Sequence, residues 1–483
     1  MNTSAHDLEA ATAAAAAFRL TRRATALERA GWLTAIADRL EEHADELVAL
    51  AHSETRLGAD RLAGELRRTT GQLRFFASVI LDGAYLEAIV DHARSDLPVP
   101  TPDLRRMLVP IGPVAVFSAS NFPFAFSVAG GDTASALAAG NPVVVKGHSA
   151  HAELSRRTAA LVADALTAAG APSGTFGHVT GRKTGLDLVG DPAIAAVGFT
   201  GSLEGGRALM AVAQARPVPI PFYGELSAVN PVVITARAAE KRADELASGL
   251  AASFQLGGGQ FCTKPGVVFA PSGARVAERV ASLLGSGMPL LSEPIERALL
   301  SGLDRLSALP GMRVLRGVSE DPNAVAPAVL TTTADRVLAD PQGHLVECFG
   351  PVTLVVEYDD LHQVVACVRV IGGSLTATVH SQSEDDIRSL VDELTLIAGR
   401  VLFDGWPTGV AVNWAQHHGG PWPSTTSAHT SVGATATRRF LRPIAWQATP
   451  DGLLPPELQE SNPLGIPRRV DGVQYPAVHK EQP

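Results

Sequence analysis

Cysteine is scarce in this sequence, with only three among 483 residues. An odd, unpaired set excludes the disulfide framework of a small secreted protein and indicates a reducing, cytoplasmic compartment. Basic charge is also in deficit, because 49 acidic side chains face 40 basic ones and the net charge is −9. This balance disfavours a nucleic-acid partner. The amino terminus lacks the basic start of a secretory signal, since Asp7 and Glu9 precede its apolar run.

Charged residues are absent from one run, 107–131, which is long enough to span a bilayer. Pro110, Pro113, Pro123 and the glycine pair at 130–131 break it into short elements, so we predict a buried core segment and no membrane partner. The chain is 46% hydrophobic and only 18% charged. Its length exceeds the roughly 250–300 residues at which one hydrophobic core stops growing, so two large α/β domains are expected.

Hydrophobic periodicity predicts helices first and then an alternation of strands and helices. Residues up to about 80 read as helical, with Gly31 as a possible break, and 86–107 reads as an arm or hairpin. The segments that follow alternate as βαβ units, which are typical of a parallel sheet. The predicted strands are 114–117, 143–145, 175–179, 195–199 and 218–222, with helices at 124–139 and 154–169.

Small, polar or charged residues follow each of these five strands. Parallel sheets bind ligands beyond the carboxyl ends of their strands, so this pattern predicts a nucleotide site. The usual G-x-G-x-x-G fingerprint is absent; the turn at 200–206 suits phosphate at a helix N-terminus, or is a simple capping turn. The residues concerned lie at 118–121, 146–149, 181–183, 200–202 and 224–226.

One cysteine, Cys262, lies in an unusual loop. Three consecutive glycines at 257–259 precede it and Pro265 follows it. Glycines let the backbone take positive φ values and let a flat ligand approach closely. The loop is therefore either a reactive-thiol site or a surface turn in which the cysteine is incidental.

Six motifs stand in the order and at the approximate spacing of the aldehyde dehydrogenase superfamily, which the chain resembles. Within that superfamily it is most similar to α-ketoglutaric semialdehyde (2,5-dioxovalerate) dehydrogenases, with NADP-dependent fatty aldehyde dehydrogenases as near relatives. The subfamily resemblance rests on 61–73, 126–133, 260–266, 405–410 and 416–421. The six general motifs are ASNFPF at 119–124, VKGH at 145–148, GFTGS at 198–202, GEL at 224–226, GQFC at 259–262 and ECFGPV at 347–352.

The resemblance implies an α/β fold of three parts: a Rossmann-like cofactor domain, an α/β catalytic domain and a β-arm for oligomerisation. An arm without its own core implies a homodimer or a dimer of dimers. The implied cofactor domain comprises 1–85 and 108–226 with a return segment near 441–462, the catalytic domain 227–404, the arm 86–107 and 405–440, and an extended tail 463–483.

The resemblance also implies the chemistry. Cys262 would attack the aldehyde carbon as a thiolate, giving a thiohemiacetal and, after hydride transfer, a thioester. Asn121 would donate its side-chain N–H to the oxyanion together with the Cys262 backbone N–H. Glu225 would activate the water that releases the acid, with a pKa raised by burial. Away from the resemblance, Asn121 reads as a turn cap and Glu225 as an exposed strand-end acid.

The implied cofactor is a nicotinamide dinucleotide. Lys146 would hold ribose hydroxyls, Ser202 would contact pyrophosphate, and Glu347 with Phe349 would position the nicotinamide ribose. Where NAD-preferring relatives often carry Glu, this chain has Ser149, so NADP is expected to be preferred and NAD possible, with Arg182 or Lys183 near the 2′-phosphate. The remaining implied contacts are Phe117, Ser118, Ala119, Ser120, His148, Thr200, Gly201 and Leu226.

The expected substrate is an aldehyde, and Phe126, Phe261 and Trp422 are expected to line the tunnel through which it reaches Cys262. Semialdehyde dehydrogenases of this type usually carry an arginine where this chain has Ser-Ala-His-Thr at 427–430. Because an arginine would be the natural partner of a distal carboxylate, its absence weakens the assignment of a dicarboxylic semialdehyde as substrate relative to that of an aliphatic aldehyde. A cysteine hydrolase, which would need a histidine near Cys262, and a non-catalytic binding role remain as alternatives.

The other conspicuous residues are predicted to be structural. Cys348 and Cys367 lie in apolar runs and read as buried core residues. The histidine pairs 148/151 and 417/418 have no acidic or cysteine partner at ligand spacing, so no metal is expected.

Overall fold

The computed structural model describes residues 5–477 and contains three β-sheets. The strands, in chain order, are β1 (Ile89–Asp91), β2 (Leu104–Pro110), β3 (Val114–Phe117), β4 (Val143–Lys146), β5 (Phe176–Val179), β6 (Ala196–Thr200), β7 (Phe222–Glu225), β8 (Pro231–Ile234), β9 (Val267–Pro271), β10 (Arg313–Arg316), β11 (Ala328–Thr333), β12 (Val352–Tyr358), β13 (Ser374–His380), β14 (Ala398–Phe403), β15 (Leu441–Gln447), β16 (Arg468–Val470) and β17 (Val473–Tyr475).

Helices flank the sheets. They are α1 (Ala5–Thr21), α2 (Ala26–Glu42), α3 (Ala44–Thr55), α4 (Ala59–Asp82), α5 (Gly131–Ala138), α6 (Ala152–Ala168), α7 (Arg182–Gly190), α8 (Leu203–Ala215), α9 (Ala236–Lys241), α10 (Ala243–Gln255), α11 (Val276–Ala281), α12 (Glu293–Ser307), α13 (Ala334–Ala339), α14 (Pro341–His344), α15 (Leu361–Val370) and α16 (Arg388–Ile397). Over residues 5–477, none of these helices combines the length and the apolar character that crossing a membrane would need.

The first α/β unit is built on a five-stranded sheet with the order β5-β4-β3-β6-β7, and every pair in it is parallel. The central strand β3 is wholly buried, and its neighbours β4 and β6 are buried except for their last residues, as expected for a parallel sheet covered by helices on both faces. The α/β class and the alternating pattern are therefore confirmed.

Three predicted boundaries in this unit differ from the structure. Strand β7 begins at Phe222 instead of Val218, because prolines at 217, 219 and 221 lack the N–H that a ladder needs. Helix α5 begins only at Gly131, because the chain at Gly130 passes so close to the Ala125 carbonyl that a Cβ would lie 2.6 Å from it. The amino-terminal helices break at His43, while Gly31 lies inside α2.

The second unit is a seven-stranded sheet with the order β10-β11-β12-β9-β8-β13-β14. Only β10 pairs antiparallel, with β11. The loop that carries Cys262 joins α10 to β9, a strand near the middle of this sheet. This loop meets the first unit at the loop after β3, where the Asn121 side chain donates to the Gln260 carbonyl at 3.0 Å.

The third sheet, β15-β2-β1-β16-β17, contains the predicted arm segment 86–107 and is called the arm sheet here; its strand pairing differs from the expected division of the chain at two places. Strand β15 (441–447) pairs along the whole of β2, so this segment belongs to the arm and not to the cofactor domain. Strand β16 pairs with β1, so the tail at 463–483 is in part a sheet strand, while 478–483 lies outside the described residues. The segment 405–440 returns instead to β7, where Thr425 bridges Glu225.

Candidate active site

The Cys262 loop takes its shape from glycine. Gly257, Gly258 and Gly259 have φ values of 58°, 68° and 67°, so three successive residues adopt the left-handed conformation that glycine accepts without strain. At Gly259 a Cβ would lie 2.1 Å from the carbonyl oxygen of Gly350. The bare loop is therefore required for the chain to turn out of α10 and pass against the 350–351 backbone.

A buried asparagine, Asn230, fixes the backbone around the cysteine. Its side-chain N–H groups donate to the carbonyl oxygens of Cys262 (2.7 Å) and Lys264 (3.0 Å), and its carbonyl accepts from the Thr376 N–H at 3.2 Å. Asn230 thus ties the loop to β13. The sequence analysis missed it, because an asparagine before a proline is as common in simple turns as in functional sites.

Glu225 lies at the end of β7 and is 4% exposed. One carboxylate oxygen lies 3.0 Å from Nε2 of His418, and the other accepts from the Ser431 hydroxyl at 3.1 Å. Both partners belong to the returning segment, so this part of the chain completes the site. A glutamate held in this way is neither exposed nor free to turn.

His418 also reaches the cysteine, with 3.7 Å between its Nε2 and the Cys262 sulfur. The ligand atoms of Glu225, Cys262 and His418 lie within 4.8 Å of one another. The expectation that His418 has no acidic or cysteine partner is therefore wrong, because partners distant in sequence are brought together by the fold. These three atoms are also a donor set that a Zn²⁺ ion could use.

The environment of this cluster shifts the pKa values of Glu225 and Cys262 in opposite directions. Burial raises the pKa of Glu225, but the neighbouring His418 and hydrogen bonds from His418, Cys262 and Ser431 outweigh it, so the net pKa is lowered. The expected raised pKa is thus wrong. Burial raises the pKa of Cys262 well above its ordinary value, and the charge and hydrogen bond of Glu225 add to this. The resting pair is therefore a thiol donating to a carboxylate.

Asn121 lies on the loop after β3 and is 8% exposed. One N–H of its side chain donates to the Gln260 carbonyl at 3.0 Å, which leaves the second N–H to donate elsewhere. Within the described chain no carbonyl accepts the Cys262 backbone N–H, and this N–H lowers the pKa of the sulfur next to it. Two N–H donors of the described residues thus remain around the Cys262 loop, one on the Asn121 side chain and one on the Cys262 backbone.

Aromatic rings surround the same place. Phe122 lies 5.4 Å from Phe126 and 5.2 Å from Phe261, measured between ring centroids, and Phe126 lies 6.2 Å from the His418 ring. Phe122 was not among the predicted lining residues. Trp422, which was, is 49% exposed, and the described residues give it no ring contact with Phe126 or Phe261.

The predicted cofactor residues lie mostly along one edge, the carboxyl ends of the first sheet. Phe117, Ser118, Ala119 and Ser120 are at the end of β3; Lys146, His148 and Ser149 at β4; Arg182 opens α7 after β5; Thr200, Gly201 and Ser202 are at β6; and Leu226 follows β7. Glu347 and Phe349 come from the second unit, on the segment before β12.

Several of these residues have environments that suit a dinucleotide. The Ser118 hydroxyl is buried without a hydrogen-bond partner, so a ligand group at the end of β3 would satisfy it. Burial lowers the pKa of Lys146. Burial also raises the pKa of Glu347 to about 7, although the Ser227 hydroxyl, which donates to the Glu347 carboxylate at 2.6 Å, acts in the opposite direction. Ser202 caps α8 by accepting from the Gly205 N–H, so its side chain is already used in part.

The first sheet is parallel, polar residues follow its strands, and a thiol and a buried carboxylate lie close together near one of these strand ends; this architecture is that of a nucleotide-dependent enzyme. The chain belongs to the aldehyde dehydrogenase family, whose model matches residues 1–442. It is an NAD(P)-dependent enzyme that oxidises an aldehyde to an acid.

Two bacterial relatives are similar over nearly their whole length. The "Alpha-ketoglutaric semialdehyde dehydrogenase 2" of Azospirillum brasilense is 46% identical over 471 residues, covering 94% of this chain and 89% of that protein. The "Alpha-ketoglutaric semialdehyde dehydrogenase" of Acinetobacter baylyi is 40% identical over 482 residues, covering 96% and 90%. A crystal structure of a Bradyrhizobium japonicum proline utilization A variant matches with a TM-score of 0.77 at 26% identity, covering 91% of this chain and 44% of that longer chain.

Proposed function

We propose that the enzyme oxidises α-ketoglutaric semialdehyde to α-ketoglutarate. The observation that carries this proposal is the near full-length similarity, at 46% and 40% identity, to two bacterial proteins that bear this substrate in their names. An aliphatic aldehyde is the second candidate, and the phenylalanine rings beside Cys262 favour it.

The residues support the following sequence of events. The Cys262 thiol releases its proton to the solvent, and the thiolate sulfur bonds to the aldehyde carbon while Glu225 stays a carboxylate. The second Asn121 N–H and the Cys262 backbone N–H donate to the oxyanion that forms on the former carbonyl oxygen. NAD(P), held by residues such as Ser118, Lys146 and Glu347, would supply the acceptor for the hydride that leaves this carbon. Glu225, oriented by His418 and Ser431, then takes a proton from the water that cleaves the thioester and frees the acid.

The substrate proposal is tested by comparing kcat/KM across semialdehydes and straight-chain aldehydes with saturating cofactor. We expect α-ketoglutaric semialdehyde to exceed pentanal by at least tenfold, because a site that binds a charged group gains roughly 1.5–3 kcal/mol from it. A higher kcat/KM for medium-chain or long-chain alkyl aldehydes would instead establish the second candidate.

We further propose that NADP is preferred to NAD. Ser149 and Arg182 follow the adjacent strands β4 and β5, so both lie at the same edge of the sheet. Within residues 5–477 no carboxylate lies within ion-pair distance of the exposed Arg182. Lys183, the other candidate, pairs with Asp187 at 2.6 Å. Arg182 is thus the better partner for a 2′-phosphate.

Arg182→Ala is expected to lower kcat/KM for NADP by about 10- to 100-fold, the range of a charge-assisted phosphate contact, and to change the value for NAD by less than about threefold. Lys183→Ala is the matched control, and it should leave the NADP/NAD ratio close to that of the wild type. Initial rates over a range of both cofactors provide the measurement. Equal losses for NADP and NAD with Arg182→Ala would refute a 2′-phosphate contact.

Self-association and location also remain proposals. The exposed outer strand β17 of the arm sheet, with Val473 and Tyr475 on it, supports a homodimer or a dimer of dimers. The three cysteines are free thiols, which supports a reducing, cytoplasmic location.

A further inference from the structure

One face of α4 carries a line of polar side chains directed into the protein. Arg61, Glu65, Arg68 and Gln72 are spaced four, three and four residues apart, so they lie on the same side of the helix. Glu65 and Gln72 are 6% and 1% exposed. The face packs against the loop that follows Asn121, because Glu65 accepts the backbone N–H groups of residues 124 and 125 at 2.8 and 3.0 Å.

Most of these side chains have buried atoms that no described residue satisfies. The unsatisfied atoms are Nε and Nη1 of Arg61, Oε2 of Glu65, Nη1 of Arg68 and both amide atoms of Gln72. Native proteins leave few buried polar groups unpaired, and a cluster of them on one helix face calls for a polar ligand. The face is therefore incomplete without a bound molecule.

The charge on this face determines the sign of the charge that the bound molecule would carry. Two guanidinium groups accompany a single carboxylate, and no acidic side chain of the described chain lies within 4 Å of Arg61 or Arg68. Burial lowers the pKa of both arginines, while Glu65 acts against this. Charges withdrawn from water are normally paired, so one anion would balance the net positive charge of this face.

The two arginines contact the aromatic rings near Cys262. Arg68 stacks over the Phe126 ring at 5.3 Å, and Phe126 contacts the His418 ring next to Cys262. Arg61 stacks over the Phe261 ring at 5.0 Å and donates to the Asn121 carbonyl at 2.8 Å. Both arginines thus stand behind the aromatic rings that line the approach to the cysteine.

We propose that Arg68, assisted by Arg61, binds the carboxylate of a semialdehyde whose aldehyde carbon lies at Cys262. This inference rests on the proposed function and gives that substrate the basic partner missing from 427–430. A guanidinium can bind a carboxylate through two parallel hydrogen bonds, and stacking on a ring leaves its edge open for them. Arg400, another half-buried arginine of this region, donates to the carbonyls of Pro407 and Gly409. Arg68, in contrast, donates its Nε to the Val410 carbonyl at 3.4 Å and keeps Nη1 unpaired among the described residues.

The test compares α-ketoglutaric semialdehyde with pentanal in Arg68→Gln and Arg61→Gln. We expect Arg68→Gln to lower the ratio of their kcat/KM values by about 100-fold, the size of a lost charge-assisted hydrogen-bonded pair. The loss should fall on KM for the semialdehyde. Arg68→Lys, which keeps the charge, should recover part of the ratio. Arg400→Gln is the matched control and should lower both values by the same factor.

A second measurement separates this inference from the substrate proposal. α-Ketoglutarate should inhibit pentanal oxidation competitively with the aldehyde in the wild type, and at least tenfold more weakly in Arg68→Gln. If the wild type shows no preference for the semialdehyde, the proposed substrate is wrong. If the wild type prefers the semialdehyde but the arginine variants keep that preference and the inhibition, the carboxylate site is wrong and the substrate stands.

Discussion

Replacing Cys262 by serine will abolish aldehyde oxidation, with kcat falling by roughly 10⁴-fold or more, because no other thiol can form the covalent adduct. Cys348 and Cys367 are 7% and 0% exposed in an apolar core, away from the carboxylate and the free N–H donors. A serine hydroxyl is a far weaker nucleophile than a thiolate and cannot replace it. The measurement is the rate of NADPH formation at saturating aldehyde.

Cys367→Ala is the matched control for this experiment. It removes a buried thiol of the same protein without touching the site, so activity should stay near the wild-type value while stability falls slightly. NADP binding to the Cys262 variant, followed by fluorescence, should persist, because the sulfur contributes little to the dinucleotide site. More than about 1% residual oxidation in Cys262→Ser would contradict the assignment of the nucleophile.

Formation of NADPH on mixing the wild-type enzyme with aldehyde and NADP separates oxidation from hydrolysis, because a hydrolase reduces no cofactor. A cysteine hydrolase needs a histidine near the thiol, and His418 meets that requirement at 3.7 Å. Geometry at the sulfur alone therefore does not distinguish the two chemistries. The distinction lies in the parallel sheet whose strand ends face the site and in membership of the aldehyde dehydrogenase family.

The sequence predicts those parts of the site that are encoded locally. Cys262 stands out through its glycine loop, and the carboxyl-end positions of β3, β4, β6 and β7 follow from regular alternation. His418, Ser431 and Asn230 were missed, because their partners are far away: His418 and Glu225 are 193 residues apart, and His418 and Cys262 are 156 apart. No periodicity predicts where a segment without helices or strands will pack, and 405–440 has almost none until 434.

Contacts between residues distant in sequence also decide the pKa of Glu225 and the burial of Arg61 and Arg68. The apolar neighbours of Glu225 in sequence predict a raised pKa, but its neighbours in space are a histidine and a hydroxyl, which lower it. Likewise, Arg61 and Arg68 read as ordinary charges on an amphipathic helix. Their burial becomes visible only once the loop after Asn121 packs on that face.

Replacing Glu225 by glutamine will separate two effects of this carboxylate: the activation of water that cleaves the thioester, and the raising of the Cys262 pKa. Turnover should fall by about 10²- to 10⁴-fold, because the thioester loses the base that activates water. NADPH formation should then show a burst of up to one equivalent per site before the slow steady rate, since hydride transfer precedes hydrolysis. Stopped-flow absorbance measures both phases.

The thiol itself should become more reactive in this variant, which is the opposite of a general loss of function. Burial raises the pKa of Cys262 and the carboxylate of Glu225 raises it further, so the neutral thiol dominates near pH 8 in the wild type. Removing that negative charge lowers the pKa, so the thiolate fraction at pH 8 rises and the alkylation profile shifts to lower pH. Iodoacetamide labelling of the cofactor-free enzyme between pH 6 and 10 measures this shift.

Ser431→Ala is the matched control, because it removes one hydrogen bond from Glu225 but keeps the carboxylate. Its alkylation profile should stay close to that of the wild type, and its turnover should fall far less than that of Glu225→Gln. Slower or unchanged alkylation in Glu225→Gln would mean that the carboxylate does not govern the thiol. Absence of a burst would place the lost step before hydride transfer, and Glu225 would then act only in deprotonating Cys262.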